Sequence, residues 1–292
     1  MERVSTDEKT HIFTSRMLPD PRRYEQVGRE GAALYRDKYL DEVLSLQDMA
    51  EAFHAPVPMF HLSSSLNSTP AYAAERRGAL QGELSGGPYV PPAQSARAHS
   101  EFGVTADRRN IAFLSVDVAG STALRSTHGD RFDTAFAVML RELGTLVGQF
   151  NGALLKTKGD GFIAYIDHPS FTSQCDATID LGLSFLVVMR DAVNPELIRA
   201  SLPELNIRVG ADFGEATMIS LAVPTTGFTS RDIASDALNR AVKIEEACQP
   251  NEFRIGRRLY ELIHVQWLER AQEASFDGDA VGLQGYRTYG IT

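Results

Sequence analysis

Hydrophobic and polar positions along this chain change their rhythm near residue 108. Before it, apolar residues fall at helical intervals. Over Arg22–Phe53, Ala33, Leu34, Leu40, Val43, Leu44 and Met49 recur at that spacing among charges, and 71–84 ("AYAAERRGALQGEL") predicts a second, short helix. "HLSSSLNSTP" separates them. Ser85–Ser100, rich in Ser, Gly, Pro and Ala, reads as a linker running on to 107. Residues 1–84 are thus expected to form a mostly helical N-terminal extension. They carry no evident site chemistry, and no internal repeat is present.

From 108 onward the pattern becomes regular, over a span (108–292) expected to form one domain. An apolar strand over Ile111–Asp117 leads to a helix containing "RFDTAFAVMLRELGTLVGQF". Two short strands follow, Ala153–Thr157 and Phe162–Ile166. Lys158-Gly159-Asp160-Gly161 joins them, and its Gly-Asp-Gly tip signals a hairpin turn. "SQCDATIDLGLSFLVVMRDAV" predicts an amphipathic helix. In "LNIRVGADFGEATMISLA", Ile207, Val209, Ala211 and Phe213 alternate, predicting a hairpin that turns near Gly214. "SRDIASDALNRAVKIEEAC" predicts a helix with Ala237, Leu238, Ala241, Val242 and Ile244 inward. "EFRIGRRLYELI" reads as a strand into a helix and "VGLQGYRTYGI" as a closing strand. The order β-α-β-β-α-β plus additions suits a ferredoxin-like α/β (α+β) sandwich.

Composition narrows the classes of function. Of the 292 residues, 43% are hydrophobic and 23% charged, as in a packed globular fold. The net charge of −9 argues against nucleic acid as a partner, because neutralising phosphates requires a basic face. No apolar run is long enough to span a bilayer, and "MERVSTDEKT" lacks the apolar core of a signal peptide. Cys175 and Cys248 lie far apart and read as buried thiols in a reducing compartment. The expectation is a cytoplasmic protein without a membrane partner.

The candidate chemistry begins where the first strand ends. Asp117 is not needed for packing that strand, and it runs directly into Gly120-Ser121-Thr122. A carboxylate at a strand end beside free turn amides suits a metal-bound phosphate; capping of the next helix suits Asp117 equally well. Asp160, at the hairpin tip, is either an ordinary turn residue or a second metal carboxylate at the same sheet edge.

"FLSVDVAGST", "KTKGDGFIAY" and "DIASDALNRAVK", in that order, resemble the catalytic core of class III nucleotide cyclases, the adenylate and guanylate cyclases. The resemblance covers 108–292. It implies cyclisation of a nucleoside triphosphate to a 3′,5′-cyclic second messenger with release of pyrophosphate, using two Mg²⁺ or Mn²⁺ ions per site. Asp117 and Asp160 match the metal aspartates, and Val118 would lend its carbonyl. The amides of Gly120, Ser121 and Thr122 would hold phosphates. Lys156 and Asp232 match the pair that reads adenine in adenylate cyclases. Asn239 matches the ribose-orienting asparagine. Lys243 stands where the family has an arginine that meets charge on the α-phosphate. The family's sites form between two catalytic domains, so the resemblance implies a homodimer with one subunit's aspartates facing the other's base readers.

Two departures bear on substrate. Lys243 lacks the planar fork of arginine. The family's triphosphate-binding lysine has no clear match, Arg287 being the nearest cation. Lys156 and Asp232 point to ATP. The lysine at 243 and the lack of a recognisable sensor domain keep a pyrimidine triphosphate open, as in the bacterial cyclases of this superfamily that make cyclic UMP or cyclic CMP in antiphage defence. A non-catalytic nucleotide-binding domain is the remaining alternative.

Overall fold

The computed structural model describes residues 2–7, 12–16, 19–28, 33–52, 64–98, 108–167 and 171–292. The chain divides into two compact units, Met1–Val57 and Pro58–Thr292.

The smaller unit overturns the helical reading of 22–53. Tyr24–Gln26, Leu34–Asp37 and Val43–Ser45 form a three-stranded antiparallel sheet, and among the described residues of this unit only Leu46–Ala52 is helical. Glu2–Asp7 and Ile12–Arg16 form a second antiparallel pair. Over Leu34–Asp37 burial alternates with period two, which the longer spacing of apolar residues had masked. The buried Asp37 fixes the turn by accepting from the amides of Tyr39 and Leu40 and from Arg23 Nε at 2.7 Å. A reciprocal cap between Ser45 and Asp48 starts the helix. Residue 53 and 61–63 of "HLSSSLNSTP" lie outside the described residues.

The larger unit begins with helix α1 (Thr69–Leu84), capped by Ser68 with proline in its first turn. The expected linker is an ordered strap over its described part, 85–98. Arg97 donates to the Asn151 carbonyl and to Asp167, and the Ala93 amide donates to Glu75. Residues 99–107 of it lie outside the described residues. Arg76 of α1 is buried and makes a two-pronged ion pair with Glu142, its remaining nitrogen donating to the Val90 carbonyl. This pair ties α1 to the body of the unit.

The body is one eight-stranded sheet. Its core is β1 (Arg109–Val118), β2 (Ala153–Lys158), β3 (Gly161–Ile166) and β4 (Ile207–Val223). The order is β2-β3-β1-β4 with every neighbour antiparallel, the ferredoxin-like arrangement read from the sequence. Strand β6 (Glu252–Gly256) adds parallel to β4, and β8 (Thr288–Ile291) and β7 (Ala271–Ala274) extend that edge. Between β1 and β2 run α2 (Ser121–His128) and α3 (Asp130–Gln149), and α4 (Phe171–Val188) follows β3. One face of the sheet packs on α3 and α4, as where Phe162 meets Phe185 edge to face. The other packs on a further helix, α5 (Asp236–Glu246), through Ile111, Phe113, Ile163, Ala237, Leu238 and Ala241. Because both faces are covered, β1 is buried from Ile111 to Val118, and its residues are apolar on both faces except Ser115 and Asp117.

Two further expectations are corrected. The alternating strand does not turn near Gly214. It continues to Val223, turns at 224–227 and returns as β5 (Phe228–Ala234), pairing Val223 with Phe228 and Thr217 with Ala234. Gly214 has another role: it makes room under α5, where a Cβ would stand 3.1 Å from that of Ala237. The closing strand covers only Thr288–Ile291, since Asp279–Val281 is a short 3-10 turn. Among the described residues, no helix is long and apolar enough to cross a membrane.

Candidate active site

The site is built where β1 ends. Its residues alternate, so that Ser115 and Asp117 share the α5 face while Leu114 and Val116 face the other helices. The β1–β3 register sets Asp117 opposite Gly161, beside the hairpin tip. That approach demands glycine: a Cβ on Gly161 would lie 2.1 Å from the Val116 carbonyl oxygen. Gly159 takes φ 57°, the left-handed conformation the turn needs. The glycines therefore have a structural cause, and they leave Asp160 at the tip beside Asp117. The two charges sense each other. Burial pushes the Asp117 carboxyl up to about 6; Glu245 and Asp160 add to the rise, while Arg208 and Lys158 oppose it. Asp160 thus lies close enough to Asp117 for its charge to be felt there.

Gly120 starts α2 in the left-handed conformation (φ 69°), and no side chain caps the helix. Ser121 and Thr122 thus open an exposed helix N-terminus that begins three residues beyond Val118. The helix-capping reading of Asp117 fails, since Gly120 is the N-cap of α2 and no side chain, that of Asp117 included, caps it; Asp117 Oδ2 accepts from Arg208 instead.

Arg208, Lys158, Glu245 and Ser115 complete the carboxylate end, and the sequence reading missed all four. Arg208 lies directly across from Asp117 in the β1–β4 register and donates to its Oδ2 at 2.5 Å. Glu245, fully buried on α5, accepts from Lys158 Nζ at 2.6 Å and Ser115 Oγ at 3.2 Å. Gly210 lets α5 come this close, because a Cβ there would stand 2.3 Å from the Glu245 amide nitrogen. A signal for Glu245 did exist: a carboxylate on the inward face of an amphipathic helix must find partners.

Lys156 and Asp232, the pair expected to read the base, are bonded to each other. Lys156 Nζ donates to both Asp232 oxygens, at 2.9 and 3.0 Å. Partial burial opposes it, but the Lys156 ammonium and the Ile233 amide hold the Asp232 carboxyl below the usual range. A bulge between Leu154 and Lys156 aims the lysine. Leu154 faces α3 and Leu155 packs against the α5 cluster, so strict alternation would have sent Lys156 to the α3 side.

Asn239 is exposed on α5, and Lys243 forms a partly exposed ion pair with Glu246 at 2.8 Å. Neither touches the carboxylates. Arg240, the residue after Asn239, is committed to the buried Asp212, which also accepts from Tyr286 Oη at 2.8 Å. Arg287 sits before β8, 3.9 Å from Glu273, on the far edge of the sheet from the hairpin. The residues present suit a divalent cation by the chemistry of their donors: two carboxylates and a strand-end carbonyl, all oxygen, with Arg208 already marking Asp117 as a cation seat. Among the described residues, no group of three or more His, Cys, Asp or Glu is placed to hold a metal, so nucleotide or water oxygens would have to complete the coordination.

A scan against protein-family models and a search of curated proteins found no match. Solved structures do match. The guanylyl cyclase Cya2 aligns at TM-score 0.54 and 16% identity, over 64% of this chain and 93% of its own. The adenylyl cyclase CyaB from P. aeruginosa aligns at 0.53 and 19%, over 64% and 95%. The guanylate cyclase domain of RhGC from Catenaria anguillulae, in complex with GTP, aligns at 0.53 and 16%, over 64% and 98%. The chain therefore contains the class III nucleotide cyclase fold. Guanylyl and adenylyl cyclases match it equally well, so the fold leaves the base open.

Proposed function

We propose that this protein is a nucleotide cyclase acting as a head-to-tail homodimer. The observation that carries the reading is the juxtaposition of Asp117 and Asp160 at one sheet edge, beside the uncapped start of α2. These carboxylates and the Val118 carbonyl would hold two Mg²⁺ or Mn²⁺ ions. When bound, such ions lower the pKa of a ribose hydroxyl and neutralise charge on phosphate. The amides of Gly120, Ser121 and Thr122 would receive the terminal phosphates. Asn239 would orient the ribose, and Lys243 would meet negative charge gathering on the α-phosphate. In support of two chains per site, Asn239 is exposed and Lys243 is paired with Glu246, so that neither is bonded to Asp117 or Asp160 of its own chain.

The substrate reading is ATP. Lys156 can donate to adenine N1, and Asp232 can accept from the N6 amino group. Cytosine offers the same acceptor and donor pattern on its N3/N4 edge, so a pyrimidine product, with a role in antiphage signalling, is the competing outcome. Incubation with each of the four nucleoside triphosphates and Mn²⁺, with products identified by mass spectrometry, decides among them. No cyclic product from any of the four would favour a non-catalytic nucleotide-binding domain.

A mixing experiment tests the shared site. Asp117→Ala and Asn239→Ala should each be inactive alone. Mixed in equal amounts, they should recover about a quarter of wild-type turnover, since half the dimers are mixed and each holds one intact site. No recovery on mixing would count against a site shared between chains.

A further inference from the structure

Arg208 stands between two carboxylates and is fully bonded to only one. Its terminal nitrogen donates to Asp117 at 2.5 Å. Its Nε faces Glu245 Oε1 at 3.4 Å, and neither of those buried atoms makes a hydrogen bond. Glu245 is fully buried, and its other oxygen is taken by Lys158 and Ser115. An acceptor buried beside a donor, with both unused, is costly unless another arrangement of the same groups satisfies them.

We propose that Arg208 is a two-seat counter-ion: without a divalent cation it occupies Asp117, and when a cation arrives it turns onto Glu245 Oε1. Resting on the metal reading of Asp117, this assigns Arg208 and Glu245 as positioning residues for the cation site. The physical argument is one of competition. A cation bound by Asp117 competes with the guanidinium for the same carboxylate, and its charge repels Arg208. The vacated guanidinium needs an anion within reach. Glu245 Oε1 supplies one through a small rotation of a side chain about a quarter exposed (26%), with no movement of β4. Lys158 and Ser115 hold Glu245 still while this happens. Without the metal, three carboxylates (Asp117, Asp160, Glu245) face two cations (Arg208, Lys158), which leaves a net negative charge to attract a divalent cation.

The test measures Mn²⁺ binding to the full chain without nucleotide, by calorimetry or by electron paramagnetic resonance. Arg208→Gln removes the competitor and should tighten binding about tenfold. Glu245→Gln removes the second seat and should weaken it by about as much. In the Arg208→Gln background, Glu245→Gln should then have a much smaller effect, a coupling that a merely structural role would not produce. If Glu245→Gln does not fold, ¹⁵N spectra of the wild-type Arg208 Nε group serve instead, because added Mg²⁺ should shift this signal as the nitrogen gains a hydrogen bond. Unchanged affinity in Arg208→Gln, strict additivity of the two substitutions, or an unmoved Nε signal would overturn the proposal. Asp117→Asn separates it from its premise. If that variant binds Mn²⁺ as well as wild type, the metal reading falls and the relay with it. If it loses binding while Arg208→Gln binds as wild type does, the metal reading stands and the relay alone falls.

Discussion

At the carboxylate end of the candidate site, Asp117 and Glu245 are buried and neutralised from within by Arg208 and Lys158. At the end proposed to read the base, Lys156 and Asp232 pair in the open, and Asn239 and Lys243 stand near or at the surface. The same residue types are handled oppositely because they have different tasks. Charge that must stay in register beneath a helix has to be compensated inside the chain, since bare burial would be prohibitive. Charge that is to meet an outside partner must remain solvated until it arrives. The first arrangement can sustain a strongly raised carboxyl pKa; the second cannot.

The largest test of this contrast is loss of a carboxylate proposed to hold metal. Asp117→Ala and Asp160→Ala should each lower turnover about a thousandfold in a cyclic-nucleotide assay, while Asp232→Ala should leave substantial activity with altered base choice. Near-normal turnover in Asp160→Ala would detach the hairpin tip from the site. Stability should divide the same way. Breaking the buried Arg76–Glu142 pair with Glu142→Ala should lower unfolding free energy by about 3–5 kcal/mol in urea titration. Breaking the open Lys156–Asp232 pair should cost under about 1 kcal/mol. Equal effects would dissolve the distinction between inner and outer charge.

Next in size is Lys243. Lys243→Ala should reduce turnover about 10- to 100-fold with little change in KM, if the lysine acts on charge that develops during reaction. Lys243→Arg, which restores the planar fork, should retain or raise it. The smallest effect is in pH. Asp117 holds its proton in the folded chain up to about pH 6, whereas an unfolded aspartate releases it near pH 4. Between those values the folded state binds more protons, so this group's contribution makes stability fall as pH rises through the window and level off above it. Asp117→Asn should flatten that slope in thermal melts recorded across pH 4 to 7. A slope unchanged by the substitution would assign the titration to another group, such as Asp180, which burial and Asp176 also push up to about 6.

Much of the carboxylate end was legible because its signals are local. A strand ending in Asp117, the Gly-Ser-Thr start of α2 and the Gly-Asp-Gly hairpin are each encoded within a few residues by alternation and turn chemistry. The β-α-β-β-α-β order likewise followed from periods of 2 and 3.6 in long segments. The failures share a cause. Over 22–53 the helical spacing was a coincidence of sparse apolar residues, and strand pairing around Asp37 prevailed over it. In β4, no local signal marks whether the strand turns at Gly214 or continues to Val223. That choice depends on β5 and on the helix lying across Gly214.

The sequence by itself therefore determined the kinds of groups, their strand or helix, and the two turns that present Asp117 and Asp160. Only the tertiary structure decided who neutralises whom. Arg208 meets Asp117 because two strands far apart in the chain pair in one particular register, and Glu245 reaches both because Gly210 lets α5 settle onto the sheet. A single bulge in β2 turned Lys156 toward Asp232. Register, close approach and bulges arise from contacts between distant segments, and side-chain spacing within one segment carries no record of them.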